Sequence, residues 1–166
     1  MAEPQSLNPR ILAIDPGKRR IGIAITSEAG LGAMPLFTLT RTNDREDLKA
    51  ILRFVRQHQI EQLVVGYPLN MDGSVGPQAE KAERFAESLR EALQDAEPAI
   101  PVHLLDERLT THEAHERLNE FERRVGGRNA RVTRDEFIDQ VAAAVLLESF
   151  LSRGQVVLLP DSSASR

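Results

Sequence analysis

Three strand-like segments, 10–15 (RILAID), 20–26 (RIGIAIT) and 33–40 (AMPLFTLT), follow one another with only short connections, and this narrows the available folds more than any other feature of the chain. Such turns join antiparallel neighbours, because a parallel return needs a crossover of a dozen or more residues. Past residue 40 the pattern changes. A helix is predicted at about 44–58, with Leu48, Ile51, Leu52 and Val55 on one face and a capping box from Asn43 and Glu46. A short apolar strand in EQLVVGYP (61–68) runs into a Pro- and Gly-rich loop. A helix then spans about 77–95, with Ala79, Ala82, Phe85, Ala86, Leu89 and Leu93 in one stripe. The strand IPVHLLDE (100–107) precedes a helix at about 110–124. A last long helix covers about 134–151, with Thr133 and Glu136 as its capping box, and QVVLLP (155–160) reads as a short final strand.

Strands that alternate with helices form parallel crossover units. The whole is therefore an α/β chain, a mixed sheet flanked by helices on both faces. Ligands in such sheets collect at the carboxyl ends of the central strands. At 166 residues, one domain over 1–166 is expected, with an ordered core of about 10–158.

The chain has no cysteine, so disulfides and thiolate metal sites are excluded and a reducing, cytoplasmic setting is expected. No apolar run reaches membrane-span length, and MAEPQSLNPR lacks the apolar stretch of a secretory signal. A net charge of −4 means that contact with nucleic acid must come from local clusters. Two present themselves: Lys18, Arg19 and Arg20 after the first strand, and RRVGGRNARVTR with Arg123, Arg124, Arg128, Arg131 and Arg134.

Three places offer carboxylates. Asp15 ends the first strand in an Asp-Pro-Gly turn, which is a sufficient turn sequence without any function; Gly17 and Gly22 would allow backbone to approach a phosphate. In LLDERLTT, alternation sends Asp106 and Glu107 to opposite faces. Arg108 shares the Asp106 face if the strand persists, so Asp106 is expected to be ion-paired, leaving Glu107 free. Asp139 lies beyond the first turn of the last helix, beside Ala142, Ala143 and Leu146, where it is either a solvent-side edge residue or a partly buried group in need of a partner. Oxygen donors without thiolates suit Mg²⁺ or Mn²⁺, and two such ions about 4 Å apart support in-line hydrolysis of a phosphodiester. His112 and His115 lie three apart on one predicted helix face, but the remaining ligands of a histidine metal site are missing.

DPGKRRIGIA, VVGYPLNMDGSVGPQA, LLDERLTTHEA and DEFIDQVAAAVLLESFL, in that order, resemble the bacterial YqgF/RuvX family of RNase H-like nucleases, described both as Holliday junction resolvases and as pre-16S rRNA nucleases. The resemblance runs from about residue 11 to 151. It implies an RNase H-like fold with a central five-stranded sheet and places the acidic site, where the two ions would bind, on Asp15, Glu107 and Asp139. It also implies first-motif basic positions at Arg19 and Arg20, and a loop of Gly66, Pro68, Asn70, Asp72 and Gly73 that lies beside the site and contacts substrate. Arg108 comes with the second acidic motif. No role carries over to His112 or His115.

The function expected is thus a metal-dependent endonuclease for structured nucleic acid, a four-way DNA junction or a ribosomal RNA precursor, with no membrane role. Junction cleavage calls for a homodimer; precursor trimming places the protein at ribosomal particles. A non-catalytic nucleic-acid-binding module in ribosome maturation is the alternative. An actin-like phosphotransferase would need a second copy of the domain, for which the chain is too short.

Overall fold

The structure, a computed structural model, describes residues 8–29, 32–110 and 133–153, together with positions 112, 115–116, 119–120 and 123. Its strands are β1 (Ile11–Pro16), β2 (Arg20–Thr26), β3 (Ala33–Thr40), β4 (Gln62–Tyr67) and β5 (Val102–Asp106). Its helices are α1 (Asp44–Gln57), α2 (Pro77–Leu93) and α3 (Arg134–Arg153). The strands form one sheet in the order β3-β2-β1-β4-β5. The β1–β2 and β2–β3 pairs are antiparallel, as the short turns require, while β1–β4 and β4–β5 are parallel and their crossovers run through α1 and α2. The expected mixed sheet is thus present.

Strand periodicity assigns each residue a layer. Leu12, Ile14, Ile21, Ile23, Leu63, Val65 and Leu104 pack against α1 and α2 through Ile51, Val55, Ala82, Phe85 and Leu89. The alternate residues Ile11, Ala13, Ala24, Val64 and Leu105 pack against α3 through Ala143, Ala144 and Leu147. A sheet covered on both faces explains the unbroken apolar runs of β1 and β4.

Caps fix the helix starts. Asn43 accepts from the backbone N–H of Glu46 at 2.9 Å, but the Glu46 carboxylate pairs with Lys49, so only half of the expected capping box forms. Thr133 and Glu136 make the full reciprocal box: each side chain accepts from the other residue's N–H, at 3.3 and 2.9 Å. The turn after β5 departs from expectation. The strand stops at Asp106, and Glu107–Leu109 form a 3₁₀ turn capped by the Asp106 carboxylate. The described positions between 112 and 123 are helical, in keeping with the helix expected at 110–124; the rest of that helix and the strand expected at 155–160 lie outside the described residues. No helix among the described residues is long and apolar enough to cross a membrane.

Helix α3 lies very close to β2. A Cβ on Gly22 would stand 1.9 Å from the Asp139 carbonyl oxygen and 2.6 Å from its carbon, both backbone atoms that cannot swing aside. Gly22 therefore gives α3 the room to pack on β2. Gly22→Ala should lower unfolding free energy by about 1–3 kcal/mol, read from the denaturant midpoint at constant slope.

Candidate active site

The parity of the sheet converges on one corner. On β1, Ile11 and Ala13 face α3, so Asp15 does too; on β5, Leu105 faces α3 and Glu107 follows it; on β4, Val64 is succeeded by Gly66. Since β4 lies between β1 and β5, Asp15 and Glu107 reach toward one another across a residue without a side chain. A Cβ on Gly66 would stand 2.6 Å from Oε1 of Glu107 and 3.4 Å from Oδ1 of Asp15.

The two carboxyls share a hydrogen bond. Burial raises Asp15 above the ordinary carboxylate range, the bond from Glu107 opposes this, and the charge of Asp139 adds to the rise. Burial, the bond to Asp15 and the charge of Asp15 together push Glu107 up to about 8. Near neutrality the pair therefore favours holding one proton between its two carboxyls.

Asp139 completes the corner from above, but its carboxylate is turned elsewhere. Its Oδ2 accepts from Nε of Arg20 at 2.5 Å, with the two side chains 28% and 35% exposed. The partner that a partly buried Asp139 was expected to need is thus an arginine. Among the described residues no set of three histidine, aspartate or glutamate side chains is gathered tightly enough to hold a metal ion. Asp15 and Glu107 meet, and Asp139 stands close enough for its charge to be felt at Asp15.

Asp106 takes the structural part expected of it, for a different reason. Its carboxylate accepts from the Arg108 backbone N–H at 2.9 Å and from Nη2 at 2.7 Å because the chain turns back on itself, not because the strand persists. Burial raises its pKa, but the bonds and charge of Arg108 outweigh this and hold it below the usual range. Arg108 also reaches the carbonyl of Met71 at 3.4 Å, tying the turn after β5 to the loop after β4.

That loop is internally braced. Asp72 accepts from the Ser74 N–H and hydroxyl, Asn70 donates to the Ser74 hydroxyl at 2.8 Å, and Gly73 N–H bonds Asn70 O. In this state Asn70 and Asp72 shape the loop, which leaves Met71 90% exposed.

Lys18 and Arg19 stand exposed on the β1–β2 turn. The turn is closed by Gly17 N–H to Arg20 O and clamped by Arg41, whose Nη1 donates to Gly17 O at 3.0 Å while Nε bonds the buried Asp47. Sequence reasoning passed over Arg41; a lone arginine after a strand carries no distinguishing signal. His112 and His115 are exposed on the helix, with His112 3.6 Å from Glu116. Arg124, Arg128 and Arg131 lie outside the described residues.

Known proteins share both the chain and the fold. Residues 9–153 match the RuvX family, described as Holliday junction resolvase. A protein of Koribacter versatilis named "Putative pre-16S rRNA nuclease" is 40% identical over 153 residues, 92% of this chain and 93% of the relative. A protein of the same name from Moorella thermoacetica is 42% identical over 144 residues, 87% of this chain and 95% of the relative. Among solved structures, Thermus thermophilus RuvC in complex with a Holliday junction substrate aligns over 89% of this chain and 98% of its own, with a TM-score of 0.55 at 16% identity. Fowlpox virus resolvase, in complex with Holliday junction DNA, aligns over 86% and 97% with a TM-score of 0.54 at 9% identity. The structural likeness shows the fold, an RNase H-like one, and the sequence match goes further: the chain belongs to the RuvX family.

Proposed function

We propose that this protein is a divalent-metal-dependent endonuclease that hydrolyses phosphodiester bonds in structured nucleic acid, with Asp15, Glu107 and Asp139 as its catalytic carboxylates. The observation that carries this reading is the pair of carboxyls forced together across Gly66 at the carboxyl ends of β1 and β5. Two acidic groups packed so closely hold a proton between them that a cation would replace, relieving both charges at once. Their hard oxygen donors fit Mg²⁺ or Mn²⁺, and Gly66 leaves the space open.

When bound, such ions supply the Lewis acidity for in-line hydrolysis. The chain's own residues do the rest. Asp15 and Glu107 orient the reacting centre from the sheet, and Asp139 approaches it from α3. Lys18, Arg19 and Arg20 offer cations to the flanking phosphates, with Arg19 and Lys18 already facing solvent. The loop of Asn70 and Asp72, braced to Arg108, borders the substrate path. Arg124, Arg128 and Arg131, which lie outside the described residues, are further candidates for phosphate contact in this reading. The relatives' names point to a ribosomal RNA precursor and the family description to a four-way DNA junction; in the first reading the protein works at ribosomal particles in the cytoplasm. Paired cuts in a junction would require a homodimer.

The purified protein is expected to cut at least one of these two substrates when Mg²⁺ or Mn²⁺ is added, and neither in excess chelator. Asp15→Asn serves as the control for a contaminating nuclease. Cleavage that persists in chelator, or that Asp15→Asn retains, overturns the assignment. Paired cuts confined to the junction identify the resolvase role, and cuts confined to the RNA identify the maturation role.

A further inference from the structure

Resting on the proposed metal-dependent nuclease, we propose that Arg20 is a substrate-released latch on Asp139. In the free protein its guanidinium keeps the Asp139 carboxylate away from the Asp15–Glu107 pair. A phosphate of the bound nucleic acid takes over the guanidinium, and the freed carboxylate completes the cation site. Arg20 is thus a positioning residue that couples substrate binding to metal binding.

Four observations converge on this. First, Arg20 engages Asp139 through Nε alone, and among the described residues its two terminal nitrogens make no hydrogen bond. A guanidinium has five donors in a planar fork suited to phosphate, so most of its capacity remains on offer. Second, Arg20 occupies the α3 face of β2, the same face as Gly22 and Ala24, and follows directly on exposed Lys18 and Arg19. A phosphate drawn to that turn arrives where Arg20 can receive it.

Third, the backbone at Asp139 is held. Its carbonyl lies against Gly22 with no room for a Cβ, so the carboxylate moves by changing rotamer and the helix stays in place. Fourth, the electrostatics favour a trade. Asp135 and Glu136 add their negative charge around Arg20, and Asp139 already acts on Asp15. Bringing Asp139 onto two carboxyls without a cation would cost repulsion; pairing it with Arg20 avoids that cost. An arriving phosphate and an arriving cation each remove one half of the reason for the pairing.

The prediction is one of linkage. Mn²⁺ binding is measured by the loss of free-ion EPR signal, for the full chain with and without a four-way DNA junction, in wild type, Arg20→Ala, Arg20→Lys and Asp15→Asn. Without nucleic acid, Arg20→Ala should bind Mn²⁺ roughly 3- to 10-fold more tightly than wild type, because the competing ion pair is gone. Adding the junction should tighten Mn²⁺ binding by wild type and leave Arg20→Ala unchanged. Arg20→Lys, which keeps the charge, should restore the weaker free-state binding and part of the gain. A role for Arg20 in fold stability alone predicts the opposite sign for Arg20→Ala, weaker binding at every condition.

Mn²⁺ binding by Arg20→Ala equal to or weaker than wild type, with circular dichroism unchanged, overturns the latch. So does an undiminished response of that variant to the junction. If Arg20→Ala does not fold, the latch stands or falls on whether the junction tightens Mn²⁺ binding in wild type and less so in Arg20→Lys. Asp15→Asn separates the two levels of the argument. If it binds Mn²⁺ as wild type does, the metal site itself is wrong and the latch falls with it; if it loses binding while Arg20→Ala matches wild type, only the latch is wrong.

Discussion

Gly66→Ala is expected to lower cleavage by at least ~10²-fold while leaving every acidic residue unsubstituted and the fold intact. The added methyl would enter the space that the two carboxyls share, 2.6 Å from Oε1 of Glu107 and 3.4 Å from Oδ1 of Asp15. The near atom is the end of a flexible side chain, so Glu107 can swing away without disturbing the sheet, and in doing so it leaves Asp15. Gly66 has no positive φ, and its backbone conformation is one that alanine adopts freely. Replacing glycine there should be neutral or slightly stabilising, because the unfolded chain loses freedom. Activity and stability thus part company. A steady-state assay with either metal, beside a denaturant melt, checks both, and near-wild-type cleavage by a folded Gly66→Ala would show that the gap between the carboxyls has no part in the reaction.

The same geometry shows how far residues can be read before a structure. The order of elements follows from turn lengths and periodicity, since local constraints alone decide whether a connection turns back or crosses over. Strand alternation points Asp106 and Glu107 apart, but it cannot say which face is which, and the strand itself ends at Asp106. That depends on α3 lying over Ala13, Ala24, Val64 and Leu105, a long-range packing choice made by small residues on both sides. Once α3 is in place, Asp15 and Gly66 share its face by strand parity, and the 3₁₀ turn after β5 brings Glu107 to the same corner. The Asp106–Arg108 pair was legible as a pair and not as a turn, because nothing in LLDERL marks where the strand gives way to a 3₁₀ bend. Gly22 reads as glycine near a phosphate turn; only the position of the Asp139 carbonyl reveals that a helix needs the space. The Arg20–Asp139 contact joins residues 119 apart in sequence, and charge complementarity over such a distance selects no partner in a chain with 21 basic and 25 acidic residues.

Glu107→Gln should make the metal-free protein more stable at pH 8 than wild type, on the order of 1–2 kcal/mol after allowance for water at a half-buried carboxyl, while abolishing cleavage. Unfolded, Glu107 releases its proton near its ordinary value of 4.5; folded, burial and Asp15 delay that release to about 8. Below the lower value both states are protonated and the stabilising contribution is complete. Between the two, the folded chain retains a proton that the unfolded chain has lost, so this group's contribution falls steadily as pH rises and is spent once the folded carboxyl ionises. A glutamine keeps the shape of the protonated acid and offers an N–H where the acid offered O–H, so its bond to Asp15 survives at any pH in this window. Thermal melts of both proteins in chelator across pH 5–9 should therefore diverge as pH rises. Added Mg²⁺ or Mn²⁺ should then close the gap by stabilising wild type alone, since a ligand that binds only the folded state raises its stability by mass action. Melting curves that stay parallel across this range would mean that Asp15 and Glu107 do not share a proton, and would remove the strain that a cation is here supposed to relieve.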